Sequence, residues 1–422
     1  MTKVNIMAMK ENDDSLANEA TGFSSFGGHS LADPDGGGAF AALGADGPTL
    51  VSTLSALGIE DAEQVVAVAA IPGVRTELQR VLGLKDQPFQ DFLDKVQGMV
   101  PAARAAELLT PSPKDLGLGV PLPTPEMMVA VEASAQAVEA DATRKAVELP
   151  GAMNLIAFFQ PIRNQGPRGT CVSFTLTALN EYIKRRSGLL RDLSEQHLYY
   201  ETKLIDGIPA KCGTYQVKAV SALASRGQCR EIVWPYRMAL PCNNHGPRPA
   251  LARPDGLNYR LTTLAVPPRN VLAYKEHMAR QRPVTLSFPV YASWYHSAST
   301  RLTGRITMRI GSEPAMGGHA VCLVGYVDTP LSPGGGYFIV RNSWGTAGFG
   351  SANPLGAGYG TIPYAYITND AYEAYTAVVA GITSVDDLAK DDVSEDEDDH
   401  EGSGSTVTIA VGSNVKITIQ TQ

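Results

Sequence analysis

Cys171 is the side chain in this sequence whose surroundings are best suited to nucleophilic chemistry. It follows the turn-rich stretch Asn164-Gln165-Gly166-Pro167-Arg168-Gly169-Thr170 and opens a segment whose apolar residues include Val172, Phe174, Leu176, Leu179 and Ile183, reading as one helix face. A thiol at a helix N-terminus sits where free amides and the macrodipole favour an anion, so thiolate becomes accessible. Gln165, six residues earlier, can turn its amide toward the same point and, with the Cys171 N–H, bind a developing oxyanion. Taken alone, a cysteine at a helix start is more often a small buried hydrophobe. Two later segments give it weight. GGHAVCLVGY, residues 317–326, places His319 at the start of an apolar strand, where Gly317 and Gly318 let a substrate chain approach closely. GYFIVRNSWG, residues 336–345, is a second apolar strand that ends on Asn342 and Trp344. Adjacent strands joined by the turn TPLSPGGG would bring His319 and Asn342 to one end of a sheet. His319 could then take the thiol proton and return it to a leaving amine. Asn342 could orient the imidazole without adding a competing negative charge. Trp344 is expected to shield that hydrogen bond and to line the substrate cleft.

The elements that must position these groups occupy the middle of a 422-residue chain. Residues 1–48, rich in Gly, Ser, Asp and Ala, have too little apolar content to bury a core and read as largely disordered. Residues 49–110 read as a small module of short amphipathic helices, broken at Gly58, Pro72-Gly73, Gly83 and Pro88, with Asp61 and Thr76 as candidate caps. Its texture is that of a helix-hairpin-helix module. Glu60, Asp61, Glu63, Glu77, Asp86, Asp91 and Asp94 outnumber its basic residues, so a spacer or protein-contact role is expected and nucleic acid is not. Residues 111–149 combine a Pro/Gly linker, 110–125, with an alanine-rich helix over 126–147. The chemistry lies in residues 150–382. Residues 383–422 carry an acidic run, with ten acidic side chains and one lysine from Asp386 to Glu401, and then a β-like tail with strands at Val407–Val411 and Val415–Ile419. That run accounts for much of the net charge of −8.

The motifs QGxxGTC (from Gln165), LSEQ (Leu193–Gln196), GHAV (from Gly318) and RNSWG (from Arg341) follow one another in an order that resembles the papain family of cysteine peptidases. Cys212-Gly213-Thr214, Trp234-Pro235-Tyr236 and Gly358–Pro363 extend the resemblance over about residues 150–382, and the GTCV reading is similar to that of bacterial members. The resemblance implies an α+β fold of two lobes: a helical lobe carrying Cys171 and a β-barrel-like lobe carrying His319 and Asn342. It implies peptide hydrolysis through a thioester acyl-enzyme, with no cofactor and a polypeptide substrate. It also implies that Gly213 pairs with the substrate backbone and that Ser287 lines the pocket for the second residue before the scissile bond. Arg168 stands where the family has one partner of a disulfide, leaving Cys212 without its usual mate, and Glu201 replaces a second family cysteine. Both losses suit a reducing compartment. The helical motif of papain-type propeptides is not visible in residues 1–149, which argues against a standard inhibitory pro-segment there.

The sequence reading is therefore a cysteine endopeptidase with Cys171, His319, Asn342 and Gln165 as catalytic residues and Gly213, Ser287, Gly318 and Trp344 as substrate-binding residues. A transpeptidase using the same acyl-enzyme is one alternative, and a catalytically silent interaction protein is the other. Cys242 and His245 have ligand-like spacing, but the intervals to Cys212 and Cys229 are irregular and no metal is expected. A Cys229–Cys242 or Cys212–Cys229 disulfide, or free thiols, is expected instead. Cys322, inside an apolar strand, is expected in the core. The N-terminal module and the C-terminal tail are candidate contacts for a protein partner. Absence of a long apolar run argues against a membrane span, and the polar, acidic N-terminus against a secretory signal, so the cytoplasm is the expected location, with signal-less export left open.

Overall fold

The computed structural model describes residues 47–111, 116–139, 149–377, 406–410 and 416–420, in two units that divide at Val378. The expected disordered start up to residue 46, the whole acidic run and the end of the alanine-rich helix lie outside the described residues; Gly47 and Pro48 already belong to a helix.

In the first unit, five short helices come first: α1 (Gly47–Ala56), α2 (Ala62–Ala69), α3 (Pro72–Leu82), α4 (Asp86–Gly98) and α5 (Ala102–Leu108). Asp61 caps α2, its carboxylate accepting the Gln64 N–H at 2.8 Å. Thr76 does not cap: it lies inside α3, which starts on Pro72 and stops at Gly83 in a left-handed conformation. Helix α6 (Pro125–Glu139) precedes the catalytic region.

Three helices, α7 (Cys171–Arg186), α8 (Glu195–Lys203) and α9 (Gln216–Arg226), make one lobe. All five apolar residues expected on the α7 face are buried. The other lobe is a seven-stranded antiparallel sheet in the order β2-β7-β3-β4-β5-β6, with β1 also paired to β4. The strands are β1 (Ala152–Asn154), β2 (Thr263–Ala265), β3 (Val284–Tyr291), β4 (Ala315–Asp328), β5 (Gly336–Arg341), β6 (Tyr359–Pro363) and β7 (Glu373–Ala377). Helices α10 (Val271–Ala279) and α12 (Tyr364–Asp370) contribute to its core, and α11 (Ala298–Thr303) lies on its edge toward the N-terminal module. The sheet core is aromatic: Phe288, Trp294, Phe338 and Tyr366 are fully buried. The two expected strands do pair, as β4 and β5, with Cys322 opposite Arg341. Cys322 is buried, as a core residue should be.

The module α1–α5 is not a free-standing domain. Its core, with Leu54, Ile59, Val65, Leu78 and Phe92, continues into Ala298, Leu302 and Ile310 of the sheet lobe. Met308 donates its N–H to Leu57 O at 2.9 Å, which ties the two backbones together. Beside that bond Arg305 is buried and donates to Asp61 at 2.9 Å and Gln64 at 3.3 Å. A second anchor is Glu77, whose carboxylate accepts the Ser312 N–H and hydroxyl. In the second unit, β8 (Thr406–Ala410) and β9 (Lys416–Gln420) form an antiparallel pair.

One cysteine expectation is corrected. Cys212 is joined to Cys242, neither of the pairings expected, and Cys229 is a buried free thiol. The Arg168 guanidinium packs between the rings of Tyr199 and Tyr236 and donates to Gln196 and to Arg237 O, which ties the chain after Tyr236, five residues before Cys242, to the helical lobe. Glu201 is buried too, and holds Arg226 at 2.8 Å and Arg248 at 3.2 Å.

Removing one partner of a buried pair strands the other charge. Arg305→Leu is therefore expected to cost about 3 kcal/mol of stability, read as a lowered urea midpoint of the full chain. Arg80→Ala, at a solvent-facing pair with Glu77, should move the midpoint far less. Equal effects would mean that Arg305 does not anchor the module.

Candidate active site

The four residues singled out for catalysis converge at the junction of the helical and sheet lobes. Cys171 is the first residue of α7 and is fully buried. The amides of Ala320, Val172 and Cys171 itself point at its sulfur. Ala320 follows His319, so the thiol lies beside the strand that carries the imidazole. His319 is fixed by its place in β4, opposite Phe288 of β3. Its Nε2 pairs with Asn342 Oδ1 at 2.8 Å, while its Nδ1 is buried without a hydrogen-bond partner. With Nε2 engaged, Nδ1 is the nitrogen available to exchange a proton with a thiol. Trp344 stacks on the imidazole at 4.4 Å between centroids and covers its bond to Asn342. Gln165 is held by Ser343, whose hydroxyl donates to Gln165 Oε1 at 2.6 Å. Its Nε2 faces the start of α7, donating to Arg168 O at 2.7 Å.

The cleft is not open. Residues 116–122, which the sequence presents only as part of a Pro/Gly linker, run through it as an extended chain. Gly117 O accepts from Gln165 Nε2 at 2.9 Å and from Trp344 Nε1 at 3.3 Å. The Gly119 N–H is directed at the Cys171 sulfur, and Gly119 O accepts the Thr214 N–H at 2.9 Å. Val120 and Gly318 exchange both backbone hydrogen bonds at 3.1 Å. Tyr295 donates to Leu116 O, Tyr372 to Pro121 O and Tyr215 to Leu122 O. Three of the four expected substrate-binding residues thus touch this segment: Gly318 and Trp344 by hydrogen bonds, and Gly213 by packing under Gly119. Ser287 is buried behind it, with Gln216 donating to its hydroxyl at 2.8 Å.

Glycine is required in this segment. A Cβ on Gly117 would lie 2.2 Å from Arg168 O, and one on Gly119 would lie 2.3 Å from Gly169 O. The sequence signal was therefore present in Leu116-Gly117-Leu118-Gly119-Val120, an alternation of apolar residues and glycine that marks close approach of backbones on one side. Tyr215, Tyr295 and Tyr372 carried no such signal.

Coverage changes the electrostatics. Burial pushes the Cys171 thiol up to about 11, against the amides that favour its anion. Burial also pushes His319 down to about 4, from its ordinary value near 6.5, with the Asn342 bond opposing weakly. In this closed arrangement thiol and imidazole are both neutral at pH 7.

Comparison with known proteins bears on what this site belongs to. Residues 153–353 match the family model described as papain family cysteine protease. Cathepsin K of Gallus gallus is 29% identical over 191 residues, 45% of this chain and 52% of the relative. Pro-cathepsin H of Bos taurus is 29% identical over 203 residues, 44% of this chain and 53% of the relative. The chain thus spans about half the length of these curated relatives. Among solved structures, xylellain, a cysteine protease from Xylella fastidiosa, is 23% identical with a TM-score of 0.49, covering 63% of this chain and 96% of that one. Residues 153–353 belong to the papain family of cysteine proteases.

Proposed function

We propose that this chain is a cysteine endopeptidase, with Cys171 as nucleophile and His319 as general base and acid, kept latent by its own residues 116–122. The observation that carries the reading is the imidazole: Nε2 tied to Asn342, Nδ1 unpartnered, and the thiol beside the same strand. Once uncovered, His319 takes the thiol proton, and the sulfur attacks a peptide carbonyl. The oxyanion is held by Gln165 Nε2 and the Cys171 N–H. His319 then protonates the leaving amine, giving a thioester that water hydrolyses.

The latent state follows from chain direction. Under the family resemblance the acyl side of a substrate lies at Gly213 and Ser287, and its leaving side at Trp344. A substrate would run from the first toward the second. Residues 116–122 run the other way, from Gln165 and Trp344 toward Tyr372 and Tyr215. Such a chain fills the cleft without presenting a peptide carbonyl in the attacked orientation. The Cys212–Cys242 disulfide supports an oxidising working environment, so the cytoplasm is proposed only as the place of synthesis.

Gly119→Ala in the full chain should displace the segment and raise the rate of Cys171 alkylation by iodoacetamide at pH 7 by roughly a hundredfold. It should also produce peptide turnover that Cys171→Ala abolishes. An unchanged alkylation rate would mean that coverage does not restrain the thiol. Loss of turnover only, with alkylation raised, would count against the peptidase reading itself.

Acid should loosen the segment through His319. An uncovered imidazole takes up its proton as pH falls through about 6.5, whereas the covered one does so only near 4. The covered state therefore loses stability as pH falls between these values, by up to about 3 kcal/mol from this group. Hydrogen exchange at the Val120 amide, corrected for its intrinsic pH dependence, should speed up from pH 7 to pH 4.5 and do so less in His319→Gln. Equal pH dependence in the two chains would remove His319 from the release of the segment.

A further inference from the structure

Arg168 is 2% exposed and lies three residues before Cys171. Its Nη1 donates to Gln196 Oε1 at 2.8 Å and to Arg237 O at 3.0 Å, both uncharged acceptors. Nε and Nη2 are buried without a hydrogen-bond partner. The guanidinium carbon sits 5.5 Å from the centre of the Tyr199 ring and 5.1 Å from that of Tyr236. Among the described residues no carboxylate pairs with it. Those on the neighbouring elements are engaged by other groups: Glu195 by Arg163, Glu201 by Arg226 and Arg248, and Asp206 by Lys203. Glu231, on the Tyr236 side, accepts the Tyr236 N–H at 2.7 Å, and the cation that lowers its carboxyl is Arg163.

Stacking between two rings and two hydrogen bonds explain a planar donor at this place. They do not explain why the lobe buries a cation without a counter-ion, since unpaired buried charge is costly and a neutral side chain could fill the same gap. The charge is felt beyond the rings. Burial, Arg168 and Lys203 together hold His245 down to about 4, so that imidazole adds no charge at pH 7. Burial raises the Tyr199 hydroxyl, while Arg168 lowers it and a Cys171 anion raises it, so both groups lie within electrostatic reach of one phenol. The Thr170 N–H donates back to Arg168 O at 2.8 Å and α7 begins at the next residue, a turn that keeps the cation-bearing backbone close to the thiol. Three residues separate two Cα atoms by at most about 11 Å. A unit charge on the order of 10 Å from a sulfur, at an effective permittivity of about 20, shifts its ionisation by roughly one pH unit. The other titratable groups facing the thiol, His319 and the Tyr372 hydroxyl, are neutral in the closed site.

We propose that Arg168 is a positioning residue of this site: its guanidinium, unpaired while residues 116–122 cover the cleft, supplies the positive charge that stabilises the Cys171 thiolate once they leave. The assignment rests on the peptidase reading above. The thiol proton still passes to His319. The amides at the start of α7 and the Arg168 charge act in the same direction, and the two tyrosine rings fix the cation in place. A cation favours the anionic form, so it lowers the pH at which thiolate appears, and a neutral residue at position 168 raises that pH.

The test follows iodoacetamide alkylation of Cys171 against pH, by peptide mass, in the full-length Gly119→Ala chain and in the same chain carrying Arg168→Lys or Arg168→Gln. Arg168→Gln should move the acid limb of the profile up by roughly one pH unit, slowing alkylation about tenfold on that limb. Arg168→Lys, which keeps the charge but loses the planar stack, should move it by less than about a third of that. Loss of packing alone would change the rate at every pH and would affect the lysine variant as much as the glutamine one. If Arg168→Gln fails to fold, Arg168→Met, which refills the gap between the rings, is read in its place. An acid limb unmoved by the neutral residue, or moved equally by lysine, overturns the assignment. Peptide turnover is measured on the same samples. Turnover with an unmoved limb leaves the peptidase reading standing without Arg168, whereas a shifted limb with no turnover in the Gly119→Ala chain overturns the peptidase reading and keeps the effect of Arg168 on the thiol.

Discussion

Two backbones meet over Cys171 with no side chains between them, and that steric condition governs the closed state. Gly117 and Gly119 of the covering chain lie on Arg168, Gly169 and Gly213 of the helical lobe. Only chains lacking Cβ at these positions come close enough to direct the Gly119 amide at the sulfur and the Gly117 carbonyl at Gln165. Contact at that range excludes water from the thiol and the imidazole together. The neutral pair is a consequence of close packing, since the amides around the sulfur would otherwise stabilise its anion.

That Cys171, His319 and Asn342 come together was legible in the sequence because each belongs to a local pattern. Cys171 opens an amphipathic helix, His319 follows two glycines into an apolar strand, and Asn342 ends the next strand. The α+β division was legible for the same reason. What stayed hidden depends on contacts between distant segments. The stretch 116–122 has the composition of a linker, and nothing local says that Val120 will pair with Gly318. Thr76 has the residue type of a cap but sits within α3, because Pro72 starts that helix four residues earlier. The pairing of Cys212 with Cys242 could not be read from spacing, because it depends on how the chain after Tyr236, which Arg168 contacts at Arg237 O, folds back on the helical lobe.

The two positions where family cysteines are replaced show how the helical lobe compensates. Arg168 is buried between two tyrosine rings, and Glu201 is buried among Arg226, Arg248 and His197. Buried charges hold geometry only when their partners are in place. The lobe therefore trades covalent links for polar clusters that specify position, and keeps one disulfide near Gly213, on the wall that the covering chain touches. Neither cluster stands out in composition, because each draws single residues from separate helices and loops.

The covering segment and the site it fills belong to one polypeptide, with α6 lying between residues 116–122 and the start of the sheet lobe. The segment therefore faces the cleft at an effective concentration that for short tethers is on the order of millimolar, whatever the concentration of the protein. Dilution does not release it. A single break in the chain between Glu139 and Leu149 would change the kinetic order of inhibition without altering any contact in the cleft. The interaction would become bimolecular, held by the docked module and the segment alone. Latency would then depend on how much of the protein is present, and a state fixed by covalent connection would become one that dilution can undo.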